Sequence, residues 1–412
     1  MNNKIKAAVA GAVLASASVA NAGITWDAGE WTVDMNGNVN AFAVMSKSEK
    51  TTTPIYGGIA AVQSPYDADR DSFAIQTGLL PSWLGFTATT RQNDLDTSVT
   101  ISFQPGTGGN QALTNGGNTE NRQAFLTFGD KSWGSVKVGK DLGIFGSTAI
   151  LNDMTLLGVG GTGGTVGNAA ASKTGGTTTT LGGIGTGYLY ADWKGQIAYT
   201  TPNMNGLSAT LGITQPWNAQ GDAGVSAASS GTSDAPAVEA QVSYSWTGDF
   251  AGKVWGGFFM QDVQGLTTEN LSEDAQSMEV GVSTSIYNIN LVAYGYSGEG
   301  VGTTGMLING FDSAGNKRDS DGGYLQATYV IPTGTKLGVA YGISKLDNNS
   351  IDTTNGINLV EENTRVTIGA YHPLTKHLNL VAEFSNIETS SHKAGVSDQE
   401  QDIVSVGAIL FF

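Results

Sequence analysis

The chain has 412 residues, enough for one large domain or two ordinary ones, and only 14% of them are charged, well below the roughly 25% typical of soluble domains. Its formal net charge of −16 repels nucleic-acid backbones, which excludes nucleic acid as a partner. Because the sequence contains no cysteine, disulfide bonds and thiolate chemistry are excluded as well.

The first 22 residues have the pattern of an export signal. Lys4 and Lys6 precede an apolar run over 7–19, and Ala20-Asn21-Ala22 forms an A-x-A cleavage site. The alternative is an N-terminal membrane anchor, but the run is shorter than the roughly 20 residues that span a bilayer. We therefore predict a signal peptide over 1–22 and a mature domain over 23–412. The mature domain would hold 18 basic and 36 acidic residues, a net charge of −18.

The mature sequence is organised in short segments of alternating polarity. In the first, Trp31, Val33 and Met35 alternate with Thr32 and Asp34. A period of two places the two sets on opposite faces of a β-strand. The sequence has no run of 18 apolar residues, which excludes a helical membrane protein. Either a secreted β-protein or a membrane barrel remains.

The connections between these segments alternate in length. Tight turns are predicted at 93–96, 129–132, 201–206, 247–252, 287–290, 331–335 and 372–376. Long loops rich in Gly, Ser, Thr, Asn and Asp are predicted at 46–82, 105–120, 141–187, 215–235, 263–275, 299–321, 346–362 and 388–400. Short turns at one end and long loops at the other are typical of outer-membrane barrels.

Sixteen strands result from this division. They are 31–45, 83–92, 97–104, 121–128, 133–140, 188–200, 207–214, 236–246, 253–262, 276–286, 289–298, 322–331, 335–345, 363–372, 378–387 and 401–412. A seventeenth candidate, 72–79, belongs to the first long loop or extends the second strand. The count carries an uncertainty of two strands.

A barrel and a soluble sandwich both explain the alternation, because each buries one face of every strand. The export signal, the unequal connections, the terminal Phe411-Phe412 and aromatic residues near strand ends favour the barrel. The aromatic residues are Trp31, Trp83, Trp193, Trp246 and Trp255. The predicted fold is therefore all-β, a transmembrane antiparallel β-barrel of about sixteen strands.

Alternation also predicts which charged side chains face the lumen. The acidic side chains predicted there are Asp34, Glu239, Glu279 and Glu383, and the basic ones are Arg91, Lys137, Lys194 and Arg365. Rings of charge set the ion preference of a pore. The alternative is that lumen positions merely tolerate polar residues, and four acids against four bases do not decide a preference.

Catalytic and cofactor motifs are weak. GVGGTG over 158–163 matches G-x-G-x-x-G, but a dinucleotide site would need a strand before it and a helix after it, so we interpret it as loop. His372, His377 and His392 lack the spacing of a zinc site and are expected at the surface. The sequence has no G-x-S-x-G. We predict no cofactor, no metal site and no enzymatic activity.

Two segments resemble the trimeric sixteen-stranded general porins of Gram-negative bacteria. NRQAFLTFGDKSWGSVKVGKDLGIFGSTAILNDMTLLGVGG resembles two porin strands followed by the loop that folds into the barrel. GYLYADWKGQIAYTTPNMNGLSATLGITQ resembles the hairpin that comes next. DIVSVGAILFF ends in phenylalanine, as the assembly signal of the family does. The resemblance extends over most of the mature chain.

This resemblance implies a homotrimer of separate pores in the outer membrane, in contact with lipid and lipopolysaccharide, through which small hydrophilic solutes and ions diffuse. Loop 141–187, the constriction loop, would fold into the lumen. Lys140 in VGKD and Lys194 in DWKGQ match wall arginines, and Asp153 in LNDM matches the acid of the loop. Arg91 and Arg122 are further wall candidates.

The sequence departs from this pattern after Asp153, where few further acids follow, so the acidic side of the constriction is thin. By simple alternation, Lys140 and Arg122 fall on the same strand face as apolar residues, the face that points away from the lumen. Lys140 would point inward only if its strand broke at Gly139. The outer-loop acids Glu361 and Glu362 could bind divalent cations that bridge lipopolysaccharide. Two alternatives remain open: a substrate-selective channel, and a structural or adhesive surface barrel.

Overall fold

The structure describes most of residues 23–412. A computed structural model describes residues 23–48, 55–60, 70–107, 119–162, 179–221, 233–266 and 271–412. The predicted signal peptide and the stretch 163–178 of the constriction loop lie outside these residues. Within the described ranges, no helix has the length and hydropathy needed to cross a bilayer.

The alternating segments form strands, and the described residues contain eighteen of them. They are β1 Ile24–Ala28, β2 Trp31–Ser48, β3 Arg70–Gln76, β4 Trp83–Gln92, β5 Leu95–Pro105, β6 Thr119–Asp130, β7 Gly134–Leu142, β8 Trp193–Thr200, β9 Leu207–Thr214, β10 Ala237–Trp246, β11 Phe250–Val263, β12 Glu273–Ile286, β13 Ile289–Glu299, β14 Asp319–Val330, β15 Lys336–Leu346, β16 Val360–Pro373, β17 Leu378–Ser391 and β18 Gln399–Phe411. Two short helices, α1 Ser147–Asn152 and α2 Ser350–Asn355, and a 3₁₀ turn, Met154–Leu157, lie in the long loops.

The sheet closes on itself as an antiparallel barrel. Each strand from β4 to β18 pairs with the next, and β2 joins the two ends by pairing with β4 and with β18. The ring therefore contains sixteen strands, which confirms the predicted number. Within the described residues, every strand of this ring is paired on both sides, which satisfies the condition for placing a sheet in hydrocarbon.

The two remaining strands extend members of the ring. β1 pairs with 31–35 of β2, directly beyond the end of β18, so the beginning and the end of the mature domain share one edge of β2. β3 pairs with 42–48 of β2 on the other edge, above β4. The segment 72–79 is thus mostly an extension of the second strand, one of the two predicted alternatives.

Between β3 and β4 the chain leaves the wall and enters the lumen as an insert, Thr77–Ser82. The side chains of Asn38 and Asn40 hold it, donating to the carbonyl oxygens of Pro81 at 2.9 Å and of Leu80 at 3.0 Å. The amide of Leu79 donates to the carbonyl oxygen of Gly158 at 2.9 Å. The insert therefore packs against the constriction loop.

The apolar face of the barrel points outward. Met278 and Val280 on β12 are 66% and 61% exposed, and Ile368 on β16 is 58% exposed, although all three lie inside regular strands. A band of exposed aliphatic side chains around a closed barrel is a lipid-facing surface.

The buried apolar cluster lies inside the barrel. It joins inward-facing strand residues such as Phe259 and Tyr324 with loop residues such as Phe145, Leu307 and Phe311. The lumen is therefore partly filled by loops that pack against its wall.

Two details of the sequence prediction are wrong. The strand predicted at 188–200 begins only at Trp193, because Asp192 has a φ of 54°, a left-handed conformation that interrupts an extended chain. Of the five tryptophans predicted at the membrane interfaces, Trp255 is 1% exposed inside the barrel, and Trp83 and Trp193 line an internal cavity. Position near a strand end fixes the depth of a ring in the membrane, but it does not show whether the ring faces lipid or the lumen.

Candidate permeation pathway

The constriction loop connects the end of β7 to the start of β8, and its described residues, 143–162 and 179–192, lie inside the barrel. It begins with α1 and the 3₁₀ turn, for which Asp153 is the N-cap, accepting from the amide of Thr155 at 2.9 Å. Short helices expose backbone N–H and C=O groups at their ends, and these need partners when they are buried. The barrel wall supplies many of them.

Two inward-facing carboxylates hold the first residues of the loop. Glu239 on β10 accepts from the amides of Ile144 at 2.7 Å and Phe145 at 2.9 Å. Glu279 on β12 accepts from the amide of Gly146 at 3.0 Å. Carboxylates that accept from backbone amides form strong, charge-assisted hydrogen bonds, so this end of the loop is firmly attached to the wall.

A third carboxylate holds the far side of α1 and the 3₁₀ turn. Glu383 on β17 accepts from the amides of Val159 at 2.7 Å and Gly160 at 2.9 Å and from the hydroxyl of Tyr371 at 2.6 Å. Gly158 permits this approach, because a Cβ there would lie 2.1 Å from Oε1 of Glu383. A side chain at this position would therefore have to displace the Glu383 carboxylate or the loop.

The predicted basic wall residues Lys194 and Arg365 also serve this attachment. Lys194 lies 2.7 Å from Glu239, and both side chains are fully buried. Arg365 lies 3.6 Å from Asp153, which accepts from the hydroxyl of Tyr188 at 2.8 Å. The loop acid thus faces a wall base, as the resemblance implies, but within a packed contact rather than in an open lumen.

The open space lies on the other side of the loop, against the wall formed by β4–β7. This cavity has a volume of about 440 Å³. Its lining runs from Thr89 and Ser98, close to the turn between β4 and β5, to Gln220 and Ile308 in the long loops at the opposite end. It therefore follows most of the length of the barrel.

Two ion pairs lie on this wall. Arg122 lies 2.7 Å from Glu120 and 5.8 Å above the ring of Trp193. Lys137 pairs with Asp141 and lies 5.0 Å from the ring of Phe125. All four charged groups line the cavity, so these wall charges neutralise each other in pairs.

A β-bulge resolves the orientation of Arg122. Ser102 pairs with Gln123 and Gln104 pairs with Glu120, so the two residues Asn121 and Arg122 face the single Phe103. A bulge of this kind shifts the parity of the strand beyond it and turns Arg122 inward. Strand parity alone would have placed it among the lipid-facing residues.

Lys140 lies on the opposite face. The ladder continues without a break through Gly139, and Lys140 is in register with Ala124 and Gly195 on the outward face. The condition for an inward orientation, a break at Gly139, is not met, so we leave Lys140 out of the pathway.

The remaining predicted residues lie near the end with the short turns. Asp34 pairs with Thr87, a cavity residue, and therefore faces the lumen. Arg91 lies half exposed at the turn, 2.8 Å from Asp96 and 3.0 Å from Asp130. Arg91 and Asp34 are thus placed at the mouth rather than at the narrow part of the barrel.

Sequence reasoning missed Glu120, Asp141 and Asp192. Asp141 shares its parity with Lys137, so alternation could have found it, whereas Glu120 lay in a predicted loop. No pattern identifies Asp192, since its position depends on how the constriction loop returns to the wall. Burial raises the pKa of Asp192 above the ordinary value, although the amide of Trp193 and nearby cations oppose this shift.

The described residues contain no group of three or more potential metal ligands. His372 shares a hydrogen bond of 2.9 Å with the hydroxyl of Thr335, and His392 bonds with the carbonyl oxygen of Leu346 at 2.6 Å. GVGGTG begins in the constriction loop beside Glu383, and its last residue lies outside the described part of the chain.

A closed, lipid-facing barrel with a lined passage along its interior defines a channel of the bacterial outer membrane. The sequence profile of the Gram-negative porins matches residues 7–392, and the chain belongs to this family. It is accordingly a passive diffusion channel of the outer membrane. No curated protein sequence matches it.

Three solved structures have a similar fold. The outer membrane channel DcaP of Acinetobacter baumannii has a TM-score of 0.67 at 14% identity, covering 95% of this chain and 100% of that chain. The anion-selective porin from Comamonas acidovorans has a TM-score of 0.61 at 16% identity, covering 93% and 100%. The trimer form of in-vitro folded OmpT from Vibrio cholerae has a TM-score of 0.52 at 14% identity, covering 93% and 100%. At these identities the likeness concerns the fold alone.

Proposed function

We propose that small hydrophilic solutes and ions cross the outer membrane through the cavity between the constriction loop and the β4–β7 wall. The observation that carries this proposal is the position of the loop. Three carboxylates fasten it to the wall of β10, β12 and β17, which leaves the passage beside β4–β7. Size exclusion sets the upper limit on solutes, and charge modulates it. The protein catalyses no reaction in this proposal.

The charges of the passage support a weak preference for cations. The passage is lined by three carboxylates and two cations: Glu120, Asp141, Asp192, Arg122 and Lys137. One carboxylate, that of Asp192, therefore remains beyond the two ion pairs. Glu239, Glu279 and Glu383, which alternation placed in the lumen, accept from loop amides and contribute little to the surface that a permeating ion meets.

We further propose that the protein is a homotrimer in contact with lipid and lipopolysaccharide. Family membership and the similarity to a structure described as a trimer support the trimer. The exposed apolar side chains on the outward face support contact with lipid. Glu361 and Glu362 lie at the loop end of β16, where they could contact lipopolysaccharide through divalent cations, and Glu362 lies 3.7 Å from Lys345.

The test is single-channel recording of the refolded protein in a planar bilayer under a salt gradient. We expect a current linear in voltage, closures in groups of three and a reversal potential displaced slightly toward that of the cation. Folded protein without conductance would contradict the channel, and insertions that always close completely in one step would contradict the trimer. The Arg122→Gln variant should increase the cation preference, because it leaves Glu120 unpaired in the passage.

A further inference from the structure

The passage has two chemically different faces. The barrel wall contributes hydroxyl and amide side chains, among them Thr87, Thr100 and Gln123. The insert and the constriction loop contribute aliphatic side chains from the opposite side, among them Leu80, Ile150, Leu156 and Ile184. A slot of this kind favours solutes with one flat apolar face and one polar edge, because each face then meets its own chemistry.

Aromatic side chains concentrate at one level of this slot. Trp193 donates from its indole nitrogen to the hydroxyl of Tyr190 at 2.9 Å, which fixes both rings at the return of the constriction loop to the wall. Burial raises the pKa of Tyr190 to about 12, so its hydroxyl stays protonated. Trp193 and Tyr190 both line the passage, as does Trp83. Fixed rings offer an apolar surface at small entropic cost.

Arg122 supplies a cation beside these rings. Its Nε donates to Glu120 at 2.7 Å, and one terminal nitrogen makes a long contact of 3.5 Å with the hydroxyl of Thr179. A guanidinium group carries five N–H donors in a planar fork that fits a carboxylate. The Arg122 side chain lines the passage, so its N–H groups beyond these two contacts can meet a solute carboxylate there.

Asp192 supplies an anion next to the same rings. It is a non-glycine residue with a φ of 54°, a conformation that carries a steric cost and that is often retained at functional positions. The amide of Trp193 donates to one of its oxygens at 2.7 Å. The carboxylate lines the passage in a largely buried setting where desolvation raises its pKa, so a cationic group from a solute would stabilise its charge.

We propose that this level of the passage is a binding subsite for zwitterionic solutes that carry a ring, of which aromatic α-amino acids are the simplest class. The solute carboxylate binds Arg122, its ammonium group binds Asp192, and its ring lies between Trp193 and the aliphatic face. Because both solute charges are met, the existing balance of charge in the passage is preserved. The proposal rests on the diffusion function proposed above and narrows its solute class.

The experiment measures interruption of the single-channel current by four probes added to one side of the bilayer. L-Tryptophan has the ring and both charges, indole-3-propionate lacks the ammonium group, tryptamine lacks the carboxylate, and L-serine lacks the ring. We expect half-blocking concentrations about tenfold lower for tryptophan than for each of the others, since a charge-assisted hydrogen bond contributes about that factor. Equal block by tryptophan and any one of the other three would overturn the proposal.

Two variants test the two charged contacts of the solute separately. Asp192→Asn retains a residue that tolerates the left-handed conformation. It should raise the half-blocking concentration of tryptophan about tenfold and leave that of indole-3-propionate unchanged. Arg122→Gln should weaken block by tryptophan to a similar extent and should not weaken block by tryptamine, because the freed Glu120 carboxylate attracts an ammonium group. Lys345→Gln, on the outward face, is the matched control and should leave every probe unchanged. Variants that weaken all probes equally would indicate a structural effect and contradict the assignment.

Conductance in the absence of probes keeps the two proposals apart. Normal conductance without block by tryptophan overturns the subsite and leaves the diffusion channel standing. Folded wild-type protein that conducts no current overturns the channel and, with it, the subsite.

Discussion

The attachment of the constriction loop depends most strongly on Glu239, and its replacement by glutamine is the sharpest test of the architecture. The carboxylate accepts from the amides of Ile144 and Phe145, from the Lys194 ammonium at 2.7 Å and from the Thr214 hydroxyl at 2.9 Å. Glu239→Gln keeps the shape of the side chain and removes its charge. The fully buried ammonium group of Lys194 then loses the charge of its ion-pair partner, 2.7 Å away.

The burial of this ion pair determines the expected loss in free energy of unfolding. Removing one partner of a buried ion pair typically destabilises a protein by about 3–5 kcal/mol, because the remaining charge is left uncompensated. The double variant Glu239→Gln with Lys194→Met removes both charges and should recover a large part of that loss. Glu299→Gln is a matched control: its partner Lys317 lies 2.7 Å away in a partly exposed pair, for which less than about 1 kcal/mol is expected.

Urea unfolding in lipid vesicles, followed by tryptophan fluorescence, gives the free energy of unfolding for the four proteins, and bilayer recording gives the state of the loop. We expect frequent brief changes of current in Glu239→Gln, since one end of the loop is weakened, and fewer in the double variant. If Glu239→Gln cost no more than Glu299→Gln and its current stayed as steady as that of the wild type, the loop would not depend on this carboxylate.

Three further outcomes are expected. Gly158→Ala should displace the loop and alter the single-channel conductance, because the new Cβ would fall 2.1 Å from Glu383, and an unchanged conductance would contradict this packing. Asp352→Asn should expose the loop over 300–318 to proteases, since it removes the charge of a fully buried pair at 2.7 Å with Arg318, and an unchanged cleavage rate would count against that anchor. Lowering the pH should reduce the cation preference before ordinary exposed carboxylates titrate, because the raised pKa of Asp192 means that its charge is lost first, and Asp192→Asn should abolish this early step in the reversal potential.

Much of the fold could be predicted because the polarity of successive residues in a barrel strand reflects the surroundings of each face. The alternation of Val238, Ala240 and Val242 with Glu239 and Gln241 is enforced by lipid on one side and lumen on the other, residue by residue. The ring of sixteen strands and the unequal connections followed from that local pattern. The insert Thr77–Ser82 and the pairing of β1 beyond β18 did not, because they depend on register between distant segments.

The candidate site was less predictable, because strand parity assigns a face but not a partner. Parity predicts that Glu239, Glu279 and Glu383 face the lumen, but only the tertiary structure decided that these carboxylates accept hydrogen bonds from loop amides. A single bulge turned Arg122 inward, and the path of the returning loop placed Asp192 beside it. The sequence by itself determined the sheet and its two faces through local periodicity. Only the folded loop, whose hydrogen bonds to Glu239 and Glu383 join residues 94 to 224 positions apart, decided which charges line the passage.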